Sequence, residues 1–293
     1  MDASKSVSTQ QKMMLLQVFI RSSRIIGRFI SIMFCYIAFF AVVILALLES
    51  GICDFWPAAT GNITINATIV VNVSKTFNCN YTRYIPNPTI LGDGGTNEFQ
   101  SPVFELQGGA TLKNCIIGAA PGTNGSADGV HCTGAGCLIQ NVWFEDVGED
   151  AITFNGLNSS NINYTIDGGG ARYAHDKIVM LDGRGTAYIK NFWADIYARF
   201  ARSCGNCKDQ YERHMVISNL TAYNGTAGQY IAGVNMNYND SAIITGLKLG
   251  GAGARQMFPC KRFIGTTGPQ PTVNGSDADG KYCIYNSSDI TYL

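Results

Sequence analysis

The sequence predicts an all-β protein, a single-stranded, right-handed parallel β-helix (a solenoid of short strands) with a hydrophobic helix at its N-terminus. Three observations predict this fold. Similar strand motifs recur every 22–28 residues, and glycine is abundant at 33 residues while proline is limited to 8. No apolar pattern of helical period follows residue 60. The length of 293 residues suits one sizeable domain or two small ones.

Charge is scarce in this chain. Charged residues make up 14% of it and the formal net charge is zero. A disordered chain would be richer in charge and proline, and a nucleic-acid-binding protein would carry a basic surface. Both classes are therefore excluded, and no nucleic-acid partner is expected.

The N-terminus is predicted to be a targeting element. A polar, basic leader spans 1–28, and Phe29 to Leu48 carries no charge over a length that can cross a bilayer. Arg21, Arg24 and Arg28 precede this run, which favours export of everything after Glu49. Segment 29–49 is either the apolar region of a signal peptide or an uncleaved anchor. We expect a secreted protein or, alternatively, a single-pass membrane protein with its main domain outside the cell.

Two further features agree with export. Nine cysteines follow the apolar run, where an oxidising compartment favours disulfides. The predicted pairs are Cys132–Cys137, Cys204–Cys207, Cys260–Cys283 and Cys79–Cys115, with Cys53 left over; zinc binding by Cys204 and Cys207 is the competing interpretation. Twelve Asn-x-Ser/Thr glycosylation acceptors also follow, at Asn62, Asn66, Asn72, Asn80, Asn124, Asn158, Asn163, Asn219, Asn224, Asn239, Asn274 and Asn286.

The repeat defines the domain. Each motif has apolar residues, then Asn or Gly, then alternating apolar residues, with marker positions at Asn114, Asn141, Asn163, Asn191, Asn219 and Gly246. In a β-helix each coil stacks on the previous one, and the asparagines can form a hydrogen-bonded ladder at the bends. We expect an N-terminal cap over 50–90, the β-helix over 91–250 and a disulfide-tied segment over 251–293. An all-β sandwich is the alternative.

Acidic residues recur at the same spacing. Asp128 lies 21 and 22 residues before Glu149 and Asp150, which lie 27 and 26 residues before Asp176. Residues one coil apart stack at about 4.8 Å, so these carboxylates are predicted to share one outer face. Carboxylate oxygens are the ligands that Ca²⁺ prefers. The sequence therefore predicts a Ca²⁺ site, with a solvated acidic turn as the alternative.

Lys177 follows this column directly, and Arg202 lies 25 residues further on. Neighbouring positive charge would lower the pKa of Lys177 and suit it to act as a base. Arg202 could hold a carboxylate or a developing enolate. His131 is either a ligand or catalytic acid, or a hydrogen-bonded residue of the wall.

At these residues the chain resembles the family 3 pectate lyases. The resemblance covers about residues 90–250, in segments 109–114, 127–132, 141–151, 168–171, 176–177, 189–192 and 202–207. It implies a secreted parallel β-helix that cleaves polygalacturonate, the de-esterified form of plant cell-wall pectin, by Ca²⁺-dependent β-elimination to 4,5-unsaturated ends.

The resemblance also implies residue roles. It implies the metal ligands Asp128, Glu149, Asp150 and Asp176, the base Lys177 with Arg202 as its partner, and substrate contacts by Glu105, Lys177 and Arg202. Met180 departs from the glutamine that relatives often carry at this position. A monomer is expected, with membrane contact only through 29–48 if that segment is retained. The rival functions are a non-catalytic pectin-binding solenoid or decayed lyase displayed at the cell surface, and a polygalacturonase-type hydrolase, whose usual motifs the sequence lacks.

Overall fold

The structure, a computed structural model, describes residues 56–98, 100–159 and 162–293. The predicted leader 1–28, the apolar segment 29–49 and Cys53 lie outside the described residues. Within the described part of the chain, no helix has the length and apolarity needed to span a bilayer. Residues Ala58–Leu293 form one compact unit, within which all the strands lie.

The regular structure of this unit consists of short strands and three single-turn 3₁₀ helices, at Met236–Tyr238, Ala254–Gln256 and Ser287–Asp289. The strands are β1 (Gly61–Ile65), β2 (Ile69–Val71), β3 (Thr76–Asn78), β4 (Thr82–Pro86), β5 (Phe104–Gln107), β6 (Ala110–Ile117), β7 (Val130–Gly134), β8 (Cys137–Phe144), β9 (Asp150–Gly156), β10 (Asn163–Leu181), β11 (Gly185–Lys190), β12 (Trp193–Ser203), β13 (Arg213–Ser218), β14 (Thr221–Gly225), β15 (Tyr230–Asn235), β16 (Ser241–Thr245), β17 (Leu247–Gly250), β18 (Phe258–Ile264), β19 (Thr272–Gly275), β20 (Cys283–Ile284) and β21 (Ile290–Tyr292).

Strand pairing gives the predicted solenoid. Among the described residues every strand pair is parallel except β18–β19, and partners come from successive coils, as in β6–β8, β7–β9 and β11–β13. Parallel neighbours need a long connection, and here the connection is the rest of the coil. The parallel β-helix is confirmed, and the sandwich alternative is wrong. Strands already form at β1–β4, inside the segment expected to be a cap.

The core is a column of aliphatic side chains that stack from coil to coil. One such stack, in parallel register, is Leu112, Ile139, Ile166, Ile189, Ile217 and Ile244. All six are at most 1% exposed. Burying a side chain of this size contributes about 1.5–3 kcal/mol, so each coil is stabilised mainly by its neighbours.

Asparagine side chains form a ladder of hydrogen bonds along one set of bends, from coil to coil. The Asn114 amide donates to Asn78 Oδ1 at 3.1 Å, and the Asn219 amide donates to Asn191 Oδ1 at 2.9 Å. Asn114, Asn191 and Asn219 have φ of 52°, 56° and 50°, a left-handed conformation that asparagine tolerates better than most residues. The predicted ladder is confirmed at these bends.

The marker at Asn163 is wrong. Asn163 lies within β10 and pairs with Thr186, while the left-handed bend of that coil is at Gly168, with φ of 73°. Glycine adopts this conformation without a steric penalty. The bend therefore needed no asparagine, and the sequence motif pointed to the wrong residue.

The four predicted disulfides are all present: Cys79–Cys115, Cys132–Cys137, Cys204–Cys207 and Cys260–Cys283. The zinc interpretation of Cys204 and Cys207 is wrong, because both sulfurs are bonded to each other and neither can be a thiolate ligand.

Candidate active site

An irregularity in strand geometry creates the site. A regular strand alternates its side chains, but β10 buries two consecutive residues, Ile178 and Val179, and β12 buries Phe200 and Ala201. The residues that flank each pair are three positions apart and face the same outer cavity, which Lys177, Met180, Arg199 and Arg202 all line. Each coil therefore presents two outward positions.

These positions stack into two rows along the solenoid. In what we call the lysine row, Asp150 pairs with Lys177 and Lys177 with Arg199. Asp128 is two residues before Val130, which pairs with Ile152, so Asp128 continues this row beside Asp150. What we call the arginine row runs in register through Glu105, His131, Thr153, Met180, Arg202, Gly233 and Lys261.

A cavity of about 740 Å³ lies over the basic part of both rows. Its walls are Glu98, Asp176, Lys177, Met180, Asp182, Arg199, Arg202, Cys204, Gly205, Asn206, Cys207, Gln229, Tyr230, Lys261, Phe263, Gln270, Pro271 and Val273. The cavity covers only part of this outer wall of the solenoid. Charge changes sign along the wall, since the lower coils, beside the cavity, supply Asp128, Glu149 and Asp150, and the upper coils, in the cavity, supply Arg199, Arg202 and Lys261. The wall can thus hold a cation and an anion side by side.

Lys177 lies at the junction of the two halves and is 7% exposed. Its Nζ is 2.6 Å from Asp176 Oδ2, 3.3 Å from Glu149 Oε1 and 3.5 Å from Asp150 Oδ1. Burial lowers the pKa of Lys177, but the three carboxylates outweigh burial and raise it above the ordinary lysine value. In the chain by itself the pKa of Lys177 is thus raised, whereas the sequence predicted that positive charge nearby, including a metal ion, would lower it.

The predicted carboxylates lie around this amine. Asp128 Oδ2 is 2.8 Å from His131 Nε2, which gives His131 a hydrogen-bonded place in the wall. Burial raises the pKa values of Glu149 and Asp150, and the charge of Lys177 only partly counters it. Asp176 faces the cations instead, since it also forms an ion pair with Arg199 Nη1.

The donor chemistry fits a calcium ion. Asp150 is 2% exposed, and its Oδ1 accepts no hydrogen bond even though it is 3.5 Å from the Lys177 amine. A buried carboxylate oxygen with free lone pairs is a typical metal ligand. The oxygens of these carboxylates, however, do not all lie within 4.8 Å of one another. Among the described residues, the only three His, Cys, Asp or Glu side chains with ligand atoms that close together are Asp182 and the disulfide-bonded Cys204 and Cys207. To hold one ion, the carboxylate oxygens of Asp128, Glu149 and Asp150 would have to come closer together.

Arg202 is 6% exposed and reaches into the cavity. Within the described part of the chain, its Nη1 and Nη2 have no hydrogen-bond partner, and its guanidinium carbon lies 4.0 Å from the centre of the Phe263 ring. Burial lowers the pKa of Arg202, although it stays far above neutrality. A buried guanidinium with unused donors is suited to bind an anionic group, which fits the predicted substrate role.

One predicted site residue lies apart from the others, and one residue of the site was not predicted. Glu105 lies in the arginine row beside His131, with Oε1 3.2 Å from the Thr133 hydroxyl, and among the ion pairs of the described residues it has none with Lys177. Arg199 was missed. It lies in register with Lys177 and three positions before Arg202, so the coil spacing of 22 residues from Lys177 was the signal that could have found it.

Known proteins share this architecture. The family model described as Pectate lyase matches residues 53–269. The chain is 38% identical over 212 residues to "Probable pectate lyase F" of Aspergillus fumigatus, covering 72% of this chain and 84% of that protein. It is 35% identical over 232 residues to "Pectate lyase H" of Emericella nidulans, covering 78% and 82% respectively.

Solved structures agree. The catalytic domain of pectate lyase PelI from Erwinia chrysanthemi has a TM-score of 0.60 at 28% identity, covering 80% of this chain and 98% of that one. PelI in complex with tetragalacturonic acid gives 0.61 at 28% identity, covering 80% and 71%. Pectate lyase Pel3 from Pectobacterium carotovorum gives 0.62 at 28% identity, covering 78% and 68%.

Proposed function

We propose that this chain, which belongs to the pectate lyase family and is a pectate lyase, cleaves polygalacturonate by calcium-dependent β-elimination. The single observation that carries the reaction type is the position of Lys177. It is a buried amine between an acidic wall and a basic wall, within reach of a cavity that can take a polyanion. A hydrolase that uses paired carboxylates would need no such amine. The solved complex of PelI with tetragalacturonic acid supports the substrate class.

The proposed calcium ligands are Asp128, Glu149 and Asp150, with Asp176 at the edge of the site. When bound, the ion would neutralise the carboxylate of the sugar residue and so make its C5 proton more acidic. The support for this set is the row register, the burial of all three inner carboxylates and the Oδ1 of Asp150, which accepts no hydrogen bond from the described residues.

Lys177 is the proposed base. With the neighbouring carboxylates bound to calcium, its amine would be neutral and would remove the proton from C5 of a galacturonate residue. The electron pair left on C5 forms the C4–C5 double bond as the C4–O bond breaks, and the leaving glycosidic oxygen takes up a proton to become the hydroxyl of the new reducing end. Arg202 binds the carboxylate in which negative charge builds up during this step, because its two terminal nitrogens are free. The products would be a new reducing end and an oligosaccharide with a 4,5-unsaturated end.

We also propose that the enzyme acts outside the cell, either secreted or anchored through 29–48. The nine cysteines after the apolar run and the four disulfides of the described domain support an oxidising compartment.

Turnover on polygalacturonate, followed by the ultraviolet absorbance of the unsaturated product, tests the function with calcium and then with chelator. We expect activity only with calcium. Lys177→Ala should lower kcat at least about 10³-fold, because Lys177 is the only buried lysine among the described residues. Lys248→Ala, at an exposed lysine of β17, should leave it unchanged. Retained activity in Lys177→Ala would remove Lys177 from the role of base.

The rival function is a non-catalytic pectin-binding solenoid. Calorimetric binding of oligogalacturonate without any unsaturated product, with calcium present, would support that rival and overturn the proposed lyase reaction.

A further inference from the structure

The arginine row continues beyond the residues that the proposed reaction uses. From Arg202 the register passes through Gly233 to Lys261, two coils further along the solenoid. At about 4.8 Å per coil, Lys261 Cα lies about 10 Å from Arg202 Cα. Gly233 between them has no side chain, and the Tyr230 ring and the Arg202 side chain pack beside it.

Lys261 is held in place by the protein. Its Nζ donates to the Gly228 carbonyl at 2.7 Å and lies 4.5 Å from the centre of the Phe258 ring. An ammonium has three donors, so two remain for a ligand. The fixed position lowers the entropy that the side chain would lose on binding.

The charge around Lys261 is uncompensated. Among the described residues no carboxylate forms an ion pair with it, whereas Arg199, on the same cavity wall, is paired with Asp176. Burial, and then the positive charge of Arg199, lowers the pKa of Lys261. Two cations that repel each other across a cavity are stabilised by an anion placed between them.

We propose that Lys261 forms a second carboxylate-binding subsite, which recognises an unesterified galacturonate residue of the bound chain other than the one being cleaved. This inference rests on the proposed function, because it assumes that the cavity holds a polygalacturonate chain. Lys261 here positions the polymer and selects for free carboxylates, and it takes no part in proton transfer. Pectin that carries a methyl ester at that residue has no charge to offer and loses this contact.

The experiment compares Lys261→Gln, Lys261→Arg and the control Lys248→Gln, which alters an exposed lysine of β17 outside the cavity. On polygalacturonate we expect Lys261→Gln to raise KM about tenfold, equivalent to about 1.4 kcal/mol, with kcat nearly unchanged. The effect should shrink as the methyl-ester content of the substrate increases. Lys261→Arg should keep most of the affinity, and the melting temperatures should all agree with that of the unaltered protein.

Several outcomes would overturn the subsite. These are an unchanged KM in Lys261→Gln, the same KM ratio on esterified and free substrate, or a loss that follows a lowered melting temperature. If the unaltered enzyme yields no unsaturated product, the proposed function fails. Calorimetric titration with oligogalacturonate then decides the subsite separately, since it stands only if Lys261→Gln weakens binding and Lys248→Gln does not.

Discussion

A methyl group added at Gly233 tests how the site is built. Gly233 stands in the arginine row between Arg202 and Lys261. A Cβ there would lie 2.6 Å from Cε2 of Tyr230 and 2.8 Å from Cδ of Arg202, both closer than real Cβ contacts. The φ of Gly233 is outside the left-handed region, so Gly233→Ala acts through contact alone.

The expected magnitude follows from what can move. The ring of Tyr230 is buried, whereas the long side chain of Arg202 can shift, so Arg202 should be displaced by about 1 Å. Overpacking of this kind costs about 1–3 kcal/mol, which lowers the melting temperature by roughly 2–10 °C in a domain of this size. Misplacing a substrate-binding group by about 1 Å can lower kcat by about 10²-fold.

Product absorbance and thermal unfolding, measured on the same preparations, separate the two effects. Gly61→Ala is the control, because Gly61 has nothing within 4 Å of an added Cβ and is outside the left-handed region. It should change neither quantity. If Gly233→Ala keeps full kcat while its melting temperature falls, the guanidinium of Arg202 does not need this position, and the role proposed for Arg202 is refuted.

Three further predictions concern stability and are checked by chemical or thermal unfolding. Asn191 has φ of 56°, and its side chain is hydrogen-bonded to both neighbours in the ladder. Asn191→Gly should therefore lower the free energy of unfolding by about 1–2 kcal/mol through the lost hydrogen bonds, and Asn191→Ala by about 1 kcal/mol more because of the left-handed backbone. Equal losses would show that the backbone conformation is unimportant. Burial opposes ionisation of Asp279, but Arg262 and three backbone N–H groups together hold its pKa well below 3.8, so its stabilising effect is present above about pH 4 and is lost as acid protonates it. Asp279→Asn should therefore cost about 1–3 kcal/mol at neutral pH and almost nothing in strong acid. Replacing both Cys79 and Cys115 by serine removes a cross-link spanning 36 residues and should cost about 4 kcal/mol, and no loss would contradict the loop-entropy account.

The fold was predictable because each coil of a solenoid requires similar residues at similar positions, which produces a regular repeat in the sequence. Each coil needs inward aliphatic residues at the same place, as Leu112 and Ile139 show, and a bend that tolerates left-handed backbone, as Asn114 and Asn191 show. The period could not locate the bend in the coil of β10. There the left-handed backbone is adopted by Gly168 instead of an asparagine, so the asparagine pattern did not mark the bend.

The site was predictable in part for the same reason. Spacing near one coil correctly brought the region of Asp128, Asp150 and Lys177 together. It could not tell which of two adjacent residues faces which way. In β10 the register with β12 shifts between Ala174 and Lys177, and this irregularity puts Arg199 rather than Phe200 opposite Lys177. Such shifts depend on how consecutive side chains pack in three dimensions, and no local pattern records them.

The segregation of charge along the wall has an energetic consequence. Like charges stacked one coil apart, at about 4.8 Å, repel by on the order of 3 kcal/mol at an effective dielectric constant of about 20. Asp128 and Asp150 are so stacked at one end, and Arg199 and Arg202 share the other, where the guanidinium of Arg202 has no acidic partner among the described residues. A wall chosen for stability alone would alternate its charges from coil to coil. Ion pairs with Lys177 and of Arg199 with Asp176 offset part of this repulsion, and ligands of opposite sign would offset more. A cation at the acidic end and a polyanion at the basic end should therefore each raise the melting temperature, and together they should raise it by more than either does alone.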